Sequence, residues 1–175
     1  MDRASTILDI AERRMRQAGY NAVSYRDIAS EIGIKSASLH YHFPKKEDLG
    51  VALVQRYAEN FFAAVEQTTS EATLPQDKIK AFASIFNSEL KDQNLVCLCA
   101  VLGAEAAGLP EDVTLEVKRF FDANISWLKT QYEACGVSNP TKKAKVILSL
   151  LEGAMMISAA NNDNSIFDAA VSSIL

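Results

Sequence analysis

Apolar residues recur at helical spacing along nearly the whole chain. Ile7, Ala11, Met15 and Ala18, for example, share one face of a helix over residues 3–18. The same spacing predicts about nine helices, over or near residues 3–18, 24–32, 36–42, 46–69, 75–90, 95–107, 110–134, 140–155 and 166–174. The pattern therefore predicts an all-α fold.

The expected helix boundaries coincide with residues that start or end helices. Gly19 follows the first apolar stripe, and glycine accepts the left-handed conformation that ends many helices. The Ser24 hydroxyl can cap the free amides of the second helix. Pro44 stops the third helix, because proline lacks an amide donor. Pro110, followed by two acids, marks the start of a later helix.

The predicted helices differ in length on the two sides of residue 47. Residues 1–47 contain two short helices joined by a turn at Gly33 and supported by a first, longer helix. This is the outline of a helix-turn-helix, whose second short helix enters the DNA major groove. Residues 48–175 contain longer helices, which we expect to form a second helical domain.

Charge is distributed unevenly between the two parts. Residues 1–50 carry eight Lys and Arg against seven Asp and Glu, together with both histidines. Residues 51–175 carry ten against fifteen, and the whole chain has a net charge of −4. Only the N-terminal part is therefore expected to face a polyanion.

Composition also indicates the compartment. With 49% hydrophobic residues, the chain can bury a substantial core, yet it contains no run of eighteen apolar residues. The N-terminal stretch MDRASTILDIAERR is charged and periodic, unlike a signal peptide. An odd number of cysteines, three, does not suggest a disulfide framework. We expect a cytoplasmic protein with reduced thiols and no membrane span.

Side chains suited to DNA contacts are concentrated between residues 24 and 46. Lys35 and Arg26 can pair with phosphate or guanine, and the small Ser36 and Ser38 permit close approach to base edges. The residues expected to face DNA are Ser24, Tyr25, Arg26, Lys35, Ser36, Ala37, Ser38, His40, Tyr41, His42 and Lys46. The amides at the start of the following helix could add a phosphate contact.

Residues 7–49 read ILDIAERRMRQAGYNAVSYRDIASEIGIKSASLHYHFPKKEDL. This segment resembles the DNA-binding region of the TetR (tetracycline-repressor-like) family of bacterial transcriptional regulators. The shared elements are Gly19-Tyr20, Ser24, Arg26-Asp27-Ile28-Ala29, Gly33, Ser38-Leu39, Tyr41, Phe43, Lys46-Glu47 and Leu49. Two positions depart from the family pattern. His40 stands where relatives usually have tyrosine, and Lys45 stands where they often have Ser or Asn.

The resemblance implies a regulator, most simply a repressor, that binds a palindromic operator as a dimer and is released by a small apolar or amphipathic inducer. Lys35, Ser36, Ala37 and Ser38 would then face bases. The resemblance also implies an inducer cavity among the longer helices, although each candidate could equally be core. The candidates are Phe82, Phe86, Cys97, Leu98, Leu102, Phe120, Trp127 and Tyr132.

The last two helices, from Pro140 onward, combine small and large apolar residues in AKVILSLLEGAMMISAA and SIFDAAVSSIL. The resemblance implies that they form a homodimer interface, and the alternative is that they are core of a monomer. Cys97, expected near the start of a helix, is a candidate sensor of electrophiles or oxidants. The alternative is an inert buried thiol.

Other classes of site find little support. His40 and His42 are two residues apart on a helix, so their side chains diverge and a shared metal is not expected. The chain has no nucleophile elbow, no phosphate-binding glycine loop and no HExxH. We therefore expect neither an enzyme nor a cofactor. A helical carrier of small molecules or lipids remains the alternative function, and the sequence does not distinguish a repressor from an activator.

Overall fold

The computed structural model describes residues 2–93 and 95–174, and within these ranges the regular structure is helical. Nine α-helices follow one another along the described chain. They are α1 (Arg3–Ala18), α2 (Tyr25–Ile32), α3 (Ser36–His42), α4 (Lys46–Thr69), α5 (Pro75–Gln93), α6 (Leu98–Ala104), α7 (Glu111–Ala134), α8 (Pro140–Asn161) and α9 (Ser165–Ser172). The predicted all-α fold is confirmed.

The largest departure from prediction is at α6. The sequence pattern predicted a helix over 95–107, whereas α6 covers only Leu98–Ala104 and a separate 3-10 turn covers Ala106–Gly108. Ahead of α6, the amide of Cys97 donates to the sulfur of Met155 at 3.2 Å rather than to a helical carbonyl. The apolar run predicted one continuous helix, whereas the amide of Cys97 near its start is held by a tertiary contact.

The chain divides into two compact units. The first comprises the residues up to Glu59 together with Leu98–Arg119. Its core is formed by buried apolar side chains of α1 to α4, α6 and α7. They include Ile7, Met15, Ile28, Leu39, Leu49, Leu53, Leu98, Leu102 and Val113.

Arg56 joins α4 to α1 within the first unit. Its guanidinium lies 2.6 Å from a carboxylate oxygen of Asp9 and 3.0 Å from one of Glu12, and it donates to the carbonyl of Ser5 at 3.3 Å. A single exposed ion pair contributes little. Arg56, however, is mostly covered and makes several bonds at once, so it fixes the position of α1 on α4.

The end of α1 depends on the absence of a side chain at Gly19. Its backbone has φ of +82° and ψ of 172°, a combination almost confined to glycine. This differs from the left-handed helical cap that the sequence suggested. A Cβ at Gly19 would lie 1.8 Å from a carboxylate oxygen of Glu105. The other oxygen of that carboxylate accepts the amide of Tyr20 at 3.0 Å, which holds α1 to the segment after α6.

The second unit comprises Asn60–Cys97 and the residues from Phe120 onward. Its centre is a cluster of aromatic rings from α4, α5 and α7. Phe61 makes edge-on contacts with Phe82, Phe86 and Phe120, with ring centroids 5.3–5.7 Å apart. Such tilted pairs are the favoured geometry for packed rings. Helix α8 packs against α5 and α9 in the same unit.

Among the described helices, α8 alone is long and apolar enough to cross a membrane by length and composition. Its most apolar 18-residue window has a mean hydropathy of 1.3, and 44% of that window is buried. A core helix of a soluble protein has the same properties, so this is weak evidence for a span.

We expect Gly19→Ala to lower the free energy of unfolding by about 1–3 kcal/mol, because alanine is strained at this φ and ψ and its methyl group would displace Glu105. Gly33→Asn is the matched control. Gly33 has φ of +76° and ψ of 34°, which Asn tolerates, and a Cβ there meets no atom within 4 Å. Denaturant unfolding should show a clearly larger loss for Gly19→Ala. Equal losses would contradict the role given to Gly19.

Candidate nucleic-acid interface and ligand cavity

Helix α2 begins with the cap that its sequence predicted. The Ser24 hydroxyl oxygen accepts the amide of Asp27 at 3.2 Å and donates to the Asp27 carboxylate. This bond from Ser24 is the main reason that the pKa of Asp27 is lowered. Gly33 then takes the left-handed conformation that turns the chain into α3. The predicted cap at Ser24 and turn at Gly33 are confirmed.

Helix α3 buries one face and exposes the other. Leu39 and, just after the helix, Phe43 lie in the core of the first unit. Ala37 is exposed, and Tyr41 is 86% exposed despite its size. The remaining predicted base-facing residues Lys35, Ser36 and Ser38 are exposed or half-buried. This helix therefore presents small polar side chains and one large ring to solvent.

Tyr25 connects α2 to the turn between α3 and α4. Its hydroxyl lies 2.7 Å from the carbonyl oxygen of Phe43 and 2.6 Å from that of Lys45, and it can donate to either. Burial is the first cause that raises the pKa of Tyr25. The hydroxyl of Tyr25, a residue predicted to face DNA, is thus already bonded within the first unit.

His40 packs beside Tyr25, with ring centroids 4.7 Å apart. Its Nδ1 lies 3.0 Å from the carbonyl oxygen of Pro44, which can only accept a hydrogen bond. Nδ1 must therefore carry the proton in this contact, and Nε2 is the nitrogen left for an outside partner. The neighbouring His42 makes an edge-on contact with Tyr41.

Tyr25 and His40 also line a shallow cavity of about 290 Å³ in the first unit. It is lined by Asn21, Val23, Ser24, Tyr25, His40 and Lys46. The ammonium of Lys46 lies 4.4 Å from the ring centroid of Tyr20. Burial lowers the pKa of Lys46, and the Glu105 carboxylate opposes this effect. Four of the predicted DNA-facing residues thus line one shallow depression.

The start of α4 is capped by a residue that the sequence reasoning did not identify. The carboxylate of Asp48 accepts the amide of Lys45 at 2.8 Å. The side chain of Lys45 pairs with Glu47 at 2.9 Å, which raises its pKa. The amide of Lys45, expected to contact phosphate, is therefore already bonded. An acid three residues after the cap position is the sequence signal for this reverse cap.

Arg26 is exposed on α2, close enough to Asp27 for its charge to help lower the pKa of that carboxyl. His40 and His42 belong to no cluster of three metal-binding side chains within the described ranges.

The candidate inducer residues are divided between the two units. Phe82, Phe86, Phe120, Trp127 and Tyr132 belong to the second unit, where all but Trp127 are fully buried. Trp127 stacks on Phe82 with centroids 4.9 Å apart. The Tyr132 hydroxyl is buried without a hydrogen-bond partner among the described residues, and burial raises its pKa to about 12. Phe82, Phe86 and Phe120 each pack against the ring of Phe61.

The other three candidates, Cys97, Leu98 and Leu102, are also fully buried, the two leucines in the first unit. Cys97 has the Glu152 carboxyl group as a neighbour. Reactive thiols usually lie in accessible, electropositive surroundings, which this environment does not provide.

A larger cavity, of about 410 Å³, lies between α7 and α8 in the second unit. It is lined by Phe121, Ile125, Lys145, Leu148, Ser149 and Glu152. Glu152 is 9% exposed, and neither of its carboxylate oxygens accepts a bond from a nitrogen or oxygen donor among the described residues. Burial raises its pKa well above the usual range, and Cys97 and Glu89 raise it further. The sequence feature that marks this site is that Glu152 is the one acidic residue of α8, an otherwise largely apolar helix.

Two family models cover most of the chain. Residues 7–53 match the model of bacterial regulatory proteins of the tetR family, and residues 75–173 match the C-terminal domain of LmrA/YxaF-like transcriptional regulators.

Relatives of known sequence or structure agree with these matches. A TetR transcriptional regulator from Legionella pneumophila has a TM-score of 0.93 and 33% identity, over 99% of this chain and 96% of that one. The transcriptional repressor KstR2 of Rhodococcus jostii is 23% identical over 85% of this chain and 89% of its own length. KstR2 of Mycolicibacterium smegmatis is 31% identical over 44% of this chain, which is 38% of that relative's length.

The match to the C-terminal model alone spans more than half of the chain, and the Legionella structure agrees with it over almost all of its length. Members of this family are DNA-binding transcription factors rather than enzymes. The chain belongs to the TetR family of bacterial transcriptional regulators.

Proposed function

We propose that the protein is a cytoplasmic repressor that binds a palindromic operator as a homodimer and is released by a small-molecule inducer. The observation that carries the proposal is the shallow depression beside α3. There Ser24, His40 and Lys46 lie around one cavity, beside the exposed surface of α3. Hydroxyl, imidazole and ammonium groups are suited to bind phosphate, while the small residues of α3 suit base edges.

The DNA-facing residues are expected to fall into two groups, one that contacts bases and one that contacts phosphates. Lys35, Ser36, Ala37 and Ser38 would read base edges, while Ser24, Tyr41, His42 and Lys46 would hold phosphates. Tyr25 would approach phosphate while its hydroxyl keeps α2 on the turn after α3. Two copies of α3, about 34–36 Å apart in a dimer, would enter successive major grooves.

An exposed apolar stripe on α8 supports dimer formation. Val146 and Ile157 are 52% and 53% exposed, and Leu150, Gly153 and Ala160 continue the same face at helical spacing. Small residues at Gly153 and Ala160 would allow a second helix to approach closely. A stripe of this kind is unfavourable in water and is typical of a protein interface.

Inducer release would require a ligand that prefers a conformation unsuited to DNA. Helix α4 supplies Lys46 to the first unit and Phe61 to the second, so it is the element that we expect to couple the two sites. Because ligand and DNA would favour different states, each would weaken the binding of the other by the same factor.

Selection from a random pool of duplex DNA tests the proposal as a whole. We expect an enriched palindrome with half-sites one helical turn apart. A helical carrier would instead enrich no sequence and show no salt-dependent retention on heparin. That result would contradict the proposal.

Lys46→Ala should weaken binding to operator and unrelated duplex alike, because it removes a contact to the phosphate chain. The magnitude of the slope of log K against log salt should fall by about one. Fluorescence anisotropy at several salt concentrations measures both quantities. The control is Lys80→Ala, which removes an exposed lysine of the second unit. An unchanged slope for Lys46→Ala would show that Lys46 does not contact phosphate.

Ser36→Ala and Lys35→Ala should instead change which bases are preferred. Each lost base contact is expected to reduce discrimination at one operator position by about 1–3 kcal/mol. Repeating the DNA selection with each variant identifies the altered position. A uniform loss of affinity, with the same consensus, would assign the residue to phosphate.

Ile157→Asp should dissociate the dimer and so weaken operator binding, because it places a charge in the apolar stripe of α8. The control is Leu115→Asp, at an apolar residue of α7 that is 43% exposed. Analytical ultracentrifugation should show a dimer for the wild type and the control, and a monomer for Ile157→Asp. A dimeric Ile157→Asp variant would exclude this face as the interface.

A further inference from the structure

The cavity between α7 and α8 contains a polar group without a suitable partner. Phe121, Ile125 and Leu148 give it apolar walls, and Glu152 also lines it, with both of its carboxylate oxygens covered by surrounding atoms. The Cys97 thiol forms a hydrogen bond with this carboxyl group, but a thiol is only a weak donor. A buried carboxyl group without a good partner is unfavourable. A ligand that binds the carboxyl group of Glu152 would offset this cost.

We propose that this cavity is the inducer site and that it binds a small molecule with a protonated amine on an apolar body. The inference rests on the proposed ligand-responsive function and names the class of ligand. The side chain of Glu152 would turn its carboxylate toward the ammonium, while the apolar body would pack on Phe121, Ile125 and Leu148.

The charges around Glu152 favour a cation over an anion. Glu89 of α5 acts on Glu152 with the same sign, so an anionic ligand would meet repulsion from two acids. Cys97 precedes α6 and is uncharged as a thiol. Lys145 also lines the cavity, but it is exposed, where solvent and salt screen its charge. The inner part of the cavity is therefore suited to a positive group.

A proton balance follows from this arrangement. Burial raises the pKa of Glu152, so in the ligand-free protein its carboxyl group stays neutral over a wider pH range than usual. When an ammonium ion binds, the ion pair forms and the carboxyl proton passes to solvent. Affinity for an amine should therefore rise with pH, until the amine itself loses its proton.

Three probes of one shape separate charge from apolar burial. They are 4-phenylbutylamine, 4-phenylbutan-1-ol and 4-phenylbutyrate, titrated calorimetrically into the full-length protein. We expect the amine to bind at least about tenfold more tightly than the alcohol, because charge-assisted bonds are the stronger ones. The acid should bind most weakly. The heat for the amine should vary with the ionisation enthalpy of the buffer, which reports the released proton.

Glu152→Gln keeps the size of the side chain and removes its charge. It should abolish the preference for the amine over the alcohol while leaving alcohol binding unchanged. The control is Glu133→Gln, which makes the same chemical change at an exposed acid of α7 that pairs with Lys129. It should keep the preference of the wild type. Equal binding of amine and alcohol to the wild type would overturn the inference, as would an unchanged preference in Glu152→Gln.

Three further outcomes are informative, and the first two separate this inference from the proposed function. If the wild type selects a palindrome yet binds no amine, the cavity assignment is wrong and the regulator stands. If it binds the amine but no DNA, the proposed function fails while the cation site stands. If Glu152→Gln weakens the dimer and the wild type ignores the amine, the cavity is completed by a second copy of the chain and the inference is overturned.

Discussion

The hydroxyl of Tyr25 bonds to the carbonyl oxygens of Phe43 and Lys45 and so fixes the angle between α2 and the turn that follows α3. The rest of the DNA-facing module depends on this contact. His40 packs against the same ring at a tilted angle, and its Nδ1 donates to the carbonyl oxygen of Pro44 in the turn. Short helices have little stability of their own. Two donors, the hydroxyl of Tyr25 and Nδ1 of His40, thus bind carbonyl groups at a proline-containing turn, which holds α3 in place.

The substitution of histidine for tyrosine at position 40 acquires a physical meaning here. A tyrosine hydroxyl would project beyond the ring, whereas the imidazole of His40 bonds through Nδ1, within the ring, to the carbonyl oxygen of Pro44.

Most helix bounds could be predicted from the sequence because they depend on local signals. Apolar stripes set the lengths of α1, α3 and α4, while Ser24, Gly33 and Pro44 mark where helices begin and end. Local patterns carry no information about contacts between distant residues. They therefore missed the shortening of α6, where the amide of Cys97 bonds to a residue of α8.

The same limit applied to the candidate sites. The DNA-facing residues lie within 23 consecutive positions, from Ser24 to Lys46, so a motif could identify them together. The cavity is different, since its walls come from α7 and α8 and its acid matters only because it is buried. Three of the aromatic candidates for the inducer cavity, Phe82, Phe86 and Phe120, pack around Phe61 in the fold. Their role in ligand binding stays a prediction.

The stacking of Trp127 on Phe82 has a practical consequence for spectroscopy. The chain contains one tryptophan, and it lies in the second unit, two residues from the cavity-lining Ile125. Intrinsic emission excited at the red edge of the indole band therefore comes from that unit alone, while the DNA-facing module is silent. The protein carries its own label for following events around α7, and no dye needs to be attached.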